Sequence, residues 1–156
     1  MAVSELNAVV SEVRVAAPPE TVFAFFVDPA RMARWMGSRV ELDPRPGGTY
    51  ALDINAQARA RGAFVEVVPP SRVVFTFGWE ADQAVPPGSS TVEVTLTPDG
   101  DGTLVRLVHR GLMAPETREQ HGHGCQHYLA RLSVAASGGE PGPDPNANPP
   151  QQERGQ

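Results

Sequence analysis

The sequence predicts an α+β fold. A curved antiparallel sheet of about six to seven strands wraps around a long C-terminal α-helix, with two short helices after the first strand. Three observations predict it. The stretch Val15 to Gly37 runs from a strand-like segment through a double proline into two short, aromatic-rich helical segments. From Ser38 to Arg110 the apolar residues alternate with the two-residue period of half-buried strands. After Pro115 the period changes to that of an amphipathic helix.

The first strand falls near Val9 to Ala16, with Val9, Val13 and Val15 on one parity, and Pro18-Pro19 stops it. Proline is well tolerated at a first helical position, so a helix begins near Pro19 and buries Val22, Phe23, Phe26 and Val27. Asp28 caps a second helix with Pro29 in its first turn, and Met32, Trp35 and Met36 follow at helical spacing. Strands are expected around Val40 to Leu42, over Thr49 to Ile54 after Gly47-Gly48, over Gly62 to Val68 before Pro69-Pro70, and over Arg72 to Trp79. Thr91 to Thr97 and Thr103 to Arg110 form a hairpin across the turn at residues 99–102. On the last helix His121, Cys125, Tyr128 and Leu132 share one face, and Gly138-Gly139 ends it. Gly122 and Gly124 each cost about 1 kcal/mol in a helix interior, so its start is expected to be weak or bent. That start and the segment 80–90 form the expected mouth of a cavity between helix and sheet.

A chain of 156 residues is one domain's worth. Residues 1–137 are read as that domain. Residues 138–156 carry no large apolar side chain and are crowded with Gly and Pro, so they are expected to form a disordered tail. The net charge of −5 without a basic cluster argues against nucleic acid as a partner. No apolar run approaches the roughly 20 residues of a membrane span, and the N-terminus does not read as a secretory signal. The single cysteine fits a reducing compartment, so a cytoplasmic location is expected. All 13 basic residues are arginine, a bias that suggests GC-rich codon usage and a bacterial source.

Four segments together resemble a known family: residues 17–37 (APPETVFAFFVDPARMARWMG), 44–50 (PRPGGTY), 62–79 (GAFVEVVPPSRVVFTFGW), and 100–112 with 121–132 (GDGTLVRLVHRGL, HGHGCQHYLARL). In this order they are similar to the SRPBCC, START-like or helix-grip superfamily, and within it to the homologues of the activator of heat-shock protein 90 ATPase. The resemblance implies a sheet gripping a C-terminal helix around an internal, mainly apolar cavity. It also implies an acidic residue at Glu66. Where the family commonly has tryptophan this chain has Cys125, a smaller side chain that enlarges the cavity or admits a ligand to the helix. The family name does not carry over as function, because the eukaryotic activator works with a second domain that residues outside 5–137 are too few to supply.

Trp35, Met36, Phe75, Phe77, Trp79 and Tyr128 are the expected cavity wall, although the same residue types build ordinary cores. Phe64 shares a parity with Glu66, so an inward Phe64 brings Glu66 inward as ligand anchor or base. The opposite parity, Ala63, Val65 and Val67, is equally apolar, which leaves that orientation open. His109 lies on the apolar parity of its strand and His121 on the apolar helix face; both are candidates to hold a polar group or move a proton, or are histidines satisfied at the core edge. His121 and Cys125, like His123 and His127, are one helical turn apart, but the two pairs lie on different faces and no further ligand cluster exists, so no metal is expected. Cys125 as a nucleophile would need His121 as its base, without an orienting carboxylate.

The reading that follows is a module binding a small hydrophobic or aromatic molecule without a cofactor, as monomer or homodimer. Ligand contacts are expected from Trp35, Met36, Phe64, Glu66, Phe75, Phe77, Trp79, His109, His121, Cys125 and Tyr128. Two alternatives remain: a cyclase/aromatase- or hydrolase-like enzyme using Glu66, His109 and His121, or a stress- or chaperone-associated interaction protein.

Overall fold

The computed structural model describes residues 8–81 and 83–147. Seven strands, β1 (Ala8–Val15), β2 (Arg39–Leu42), β3 (Thr49–Asp53), β4 (Arg59–Val68), β5 (Arg72–Phe77), β6 (Ser90–Asp99) and β7 (Gly102–Arg110), form one antiparallel sheet in the order β1-β7-β6-β5-β4-β3-β2. The chain from β2 to β7 is a meander, and β1 pairs with β7 to complete the sheet. Between β1 and β2 lie α1 (Pro19–Val27) and α2 (Pro29–Met32); α3 (Pro115–Ala136) follows β7. The two-residue turn between Asp99 and Gly102 joins β6 and β7 where the sequence places a hairpin.

Each element follows its sequence signals. Pro18 stops β1, and its carbonyl accepts from the N–H groups of Thr21 and Val22 to start α1. Asp28 caps α2 by accepting from the Ala30 N–H at 3.0 Å. Trp35 then turns back onto α1: its indole N–H donates to the Phe25 carbonyl at 3.0 Å, and its ring meets Phe26 edge to face. The alternation on β6 and β7 resolves as expected, with Val92, Val94, Leu96, Val105 and His109 buried. On α1, Phe25 is buried beside Val22, Phe23 and Phe26, and Val27 is half-buried.

The helix α3 runs unbroken from Pro115 through Gly122 and Gly124. It lies along β1 and touches α1, while Tyr128, Leu129 and Leu132 bury their side chains toward the core. Its axis stands off β3 to β6, and the gap between is a cavity. No helix among the described residues is long and apolar enough to cross a membrane.

Two expectations need correction. Phe64 and Glu66 do not share a face, because the β4–β5 register shifts between them in a β-bulge. Phe64 is buried and Val67 packs on the core, while Val65 and Glu66 turn outward. The other concerns the tail. Residues 138–147 fold back along α3, ending in a 3-10 turn at Pro145–Ala147. The guanidinium of Arg131 donates to the carbonyls of Pro141, Gly142 and Pro143, so a segment with no large apolar side chain to bury is fixed by hydrogen bonds. Residues 148–156 of the expected tail lie outside the described residues.

Candidate functional site

The cavity holds about 640 Å³, within the range of pockets that enclose a small organic molecule. Its sheet wall is aromatic. Tyr50 of β3 stacks on Phe75 of β5 with ring centroids 4.0 Å apart, and Phe77 meets Trp79 edge to face at 5.1 Å. Alternation on β5 presents Phe75 and Phe77 to one side, and Trp79 continues that parity through an isolated bridge to Ala60. One end is closed by Phe26, Met32, Trp35 and Met36; His121, Cys125, Tyr128 and Leu129 of α3 form the opposite wall.

Two neutral histidines form a polar end. His109 on β7 is 3 % exposed and pairs in register with Val92 of β6, which sets it beside Ser90. The Ser90 hydroxyl donates its one proton to the Phe77 carbonyl at 2.7 Å. It can therefore only accept at its 2.8 Å contact with His109 Nε2, which must carry the proton. Burial, with a smaller contribution from the charge His121 would carry, lowers the His109 pKa from 6.5 to about 3, so the ring is neutral in ordinary conditions. The His121 tautomer is the opposite one. Its Nε2 accepts from the Trp79 indole N–H at 3.0 Å, so the proton sits on Nδ1 and is donated to the Thr117 carbonyl at 2.9 Å. The two rings meet edge to face with centroids 5.2 Å apart.

The returning segment 139–147 packs on α3 and brings Asn146 to the cavity. Tyr128 donates to Asp144 at 2.6 Å, and His127 lies 3.2 Å from the same carboxylate. Burial pushes the Asp144 carboxyl up, but hydrogen bonds from Tyr128, the Asn146 N–H and His127, together with the charge of Arg131, outweigh it and hold the pKa below the usual range. Asn146 reaches the cavity lining, and its carbonyl accepts from the Asn55 side chain at 2.7 Å. Ala81 of the segment 80–90 and Gln120 and Gly124 of early α3 also line the cavity.

The structure thus brings Trp35, Met36, Phe75, Phe77, Trp79, His109, His121, Cys125 and Tyr128 to one cavity. Phe64 lies behind this wall, edge-on to Tyr50 and Phe75. Glu66 is outside altogether: its side chain is 46 % exposed and paired with Arg72 at 3.0 Å. The acid–base set of Glu66, His109 and His121 therefore does not assemble. Burial raises the Cys125 thiol to about 11, and both nitrogens of His121 are already bonded, so no thiolate is generated there. Among the described residues no three His, Cys, Asp or Glu side chains are grouped to hold a metal ion.

Sequence reasoning missed Tyr50 and Asn146. Tyr50 alternates with Leu52 on β3, a period-two signal that places it inward. Asn146 has no comparable signal, since the composition of its segment argues for disorder.

The family model described as Activator of Hsp90 ATPase homolog 1-like protein matches residues 16–137. The solved AHSA1-like protein of Rhizobium etli is 48 % identical, with a TM-score of 0.72 over 88 % of this chain and 86 % of that one. CalU16 from Micromonospora echinospora is 27 % identical, with a TM-score of 0.69 over 94 % of this chain and 79 % of its own. An uncharacterised protein of Schizosaccharomyces pombe is 27 % identical over 120 residues; these span 76 % of this chain and only 34 % of that protein. The seven-stranded sheet and C-terminal helix are the helix-grip arrangement of these neighbours.

Proposed function

We propose that this chain, which belongs to the Activator of Hsp90 ATPase homolog 1-like family, binds a small hydrophobic or aromatic molecule between its sheet and α3. The observation that carries this reading is the 640 Å³ cavity walled by Tyr50, Phe75, Phe77 and Trp79. A core formed only for stability packs such rings against one another without a space of that size. A concave, mainly apolar space with few polar groups is the usual form of a ligand pocket. Hydrolase- or cyclase-like chemistry is less well supported, because Glu66 faces away and His109 and His121 are held neutral in fixed tautomers. An interaction role has less support too, since exposed Val10, Val65, Val68, Met113 and Val134 are scattered over several elements.

The test is native followed by denaturing mass spectrometry of the purified protein, then a thermal-shift screen of lipids and aromatic compounds. A stoichiometric apolar adduct, or a saturable rise in Tm with an aromatic compound, supports the reading. An empty protein with no thermal response across the screen counts against it.

A further inference from the structure

Among the described residues, two polar atoms on buried side chains of the cavity wall have no hydrogen-bond partner. Every sealed side-chain nitrogen and oxygen among the described residues has a partner. His109 Nδ1 and the Tyr50 hydroxyl have none, although both residues are almost fully buried, so both atoms open on the cavity that their residues line. Phe77 neighbours both, its ring centroid 5.1 Å from that of His109 and 6.2 Å from that of Tyr50. The character of the histidine atom is fixed. Ser90 holds the proton on Nε2, which leaves Nδ1 as a bare acceptor. The other ring nearby cannot answer it, because the Trp79 and His121 N–H groups are already donated to His121 and Thr117.

Resting on the binding reading above, we propose that the ligand is an aromatic molecule bearing a hydroxyl group, which donates to His109 Nδ1 while its ring lies against Phe77. The Tyr50 hydroxyl is placed to meet a second oxygen of such a ligand. A ligand with only acceptors at that position leaves the buried nitrogen desolvated and unpaired, and this is the basis of selectivity. His109 is then a specificity-determining residue, and Ser90 is a positioning residue that acts through the tautomer.

Two nearly isosteric probes separate the terms: 2-naphthol, which donates, and 2-methoxynaphthalene, which cannot. Affinities are read by quenching of Trp35 and Trp79, which line the cavity. The expected result is a naphthol-to-ether affinity ratio that falls about ten-fold in His109→Phe, the size of one net hydrogen bond. Nitrogen-15 NMR of the imidazoles should show His109 protonated at Nε2, with Nδ1 shifting on addition of naphthol but not of ether. Ser90→Ala should blunt the preference. If His109→Phe does not fold, the wild-type preference and the NMR result decide alone. Equal affinity for both probes in the wild type, or a proton found on Nδ1, overturns the hydroxyl assignment and leaves the binding reading standing. Failure of both probes to bind overturns the hydroxyl assignment and the binding reading together.

Discussion

Replacing His109 by glutamine should change how stability depends on pH. The folded ring titrates near 3 while an unfolded histidine titrates near 6.5. Between these values the unfolded chain takes up a proton that the folded chain refuses, so acidification favours unfolding. Stability is unaffected by this group above about pH 7, and falls by about 1.4 kcal/mol per unit as pH drops below 6.5. From pH 7 to 4.5 the cost is about 2.5 kcal/mol, and the full gap of 6.5 to 3 corresponds to about 4.8 kcal/mol. Glutamine is close in size, can keep a hydrogen bond to Ser90, and does not titrate. Urea unfolding followed by tryptophan fluorescence at both pH values isolates the contribution, because every other titrating group is common to both proteins. The wild type should lose about 2.5 kcal/mol more than His109→Gln over that interval. Equal losses in the two proteins would refute the placement of a neutral, desolvated imidazole on β7.

Three further outcomes follow from the same geometry. Gly124→Ala should stabilise the protein by up to about 1 kcal/mol in thermal or urea unfolding, because α3 is helical there and a Cβ meets nothing within 4 Å. Cys125→Trp places a large ring in the cavity and should weaken binding of an aromatic probe at least ten-fold by fluorescence titration, without loss of the far-UV circular dichroism of the fold. Tyr128→Phe removes the donor 2.6 Å from the Asp144 carboxylate, whose side chain is only 9 % exposed, and should cost about 1–3 kcal/mol in urea unfolding.

The strands were legible because their side chains alternate between a buried and a wetted face. That signal places Phe75, Phe77 and Trp79 together, and it puts His109 inward with Val105. It fails at Glu66, where one bulged residue reverses the parity of β4; Ala63, Val65 and Val67 are as apolar as the other face, so periodicity has nothing to register. Helix α3 spans both glycines because its later residues, Tyr128, Leu129 and Leu132, supply burial that outweighs propensity. Segment 139–147 was illegible for another reason. Its order comes from Arg131, Tyr128 and His127, none of which lies within it. Tautomers are likewise invisible in a sequence: the proton position on His109 depends on Ser90 and the Phe77 carbonyl, which β6–β5 pairing brings opposite each other.

The most direct test of the account is an NMR titration with 2-naphthol that follows the indole N–H signals of Trp35 and Trp79 and the methyl signal of Met36. All three residues line the cavity, but they come from the segment around α2 and from the end of β5. If the cavity is the binding site, the three signals shift together along one saturable curve. Shifts confined to exposed residues such as Val65 and Met113, with the indoles unmoved at saturation, would contradict it.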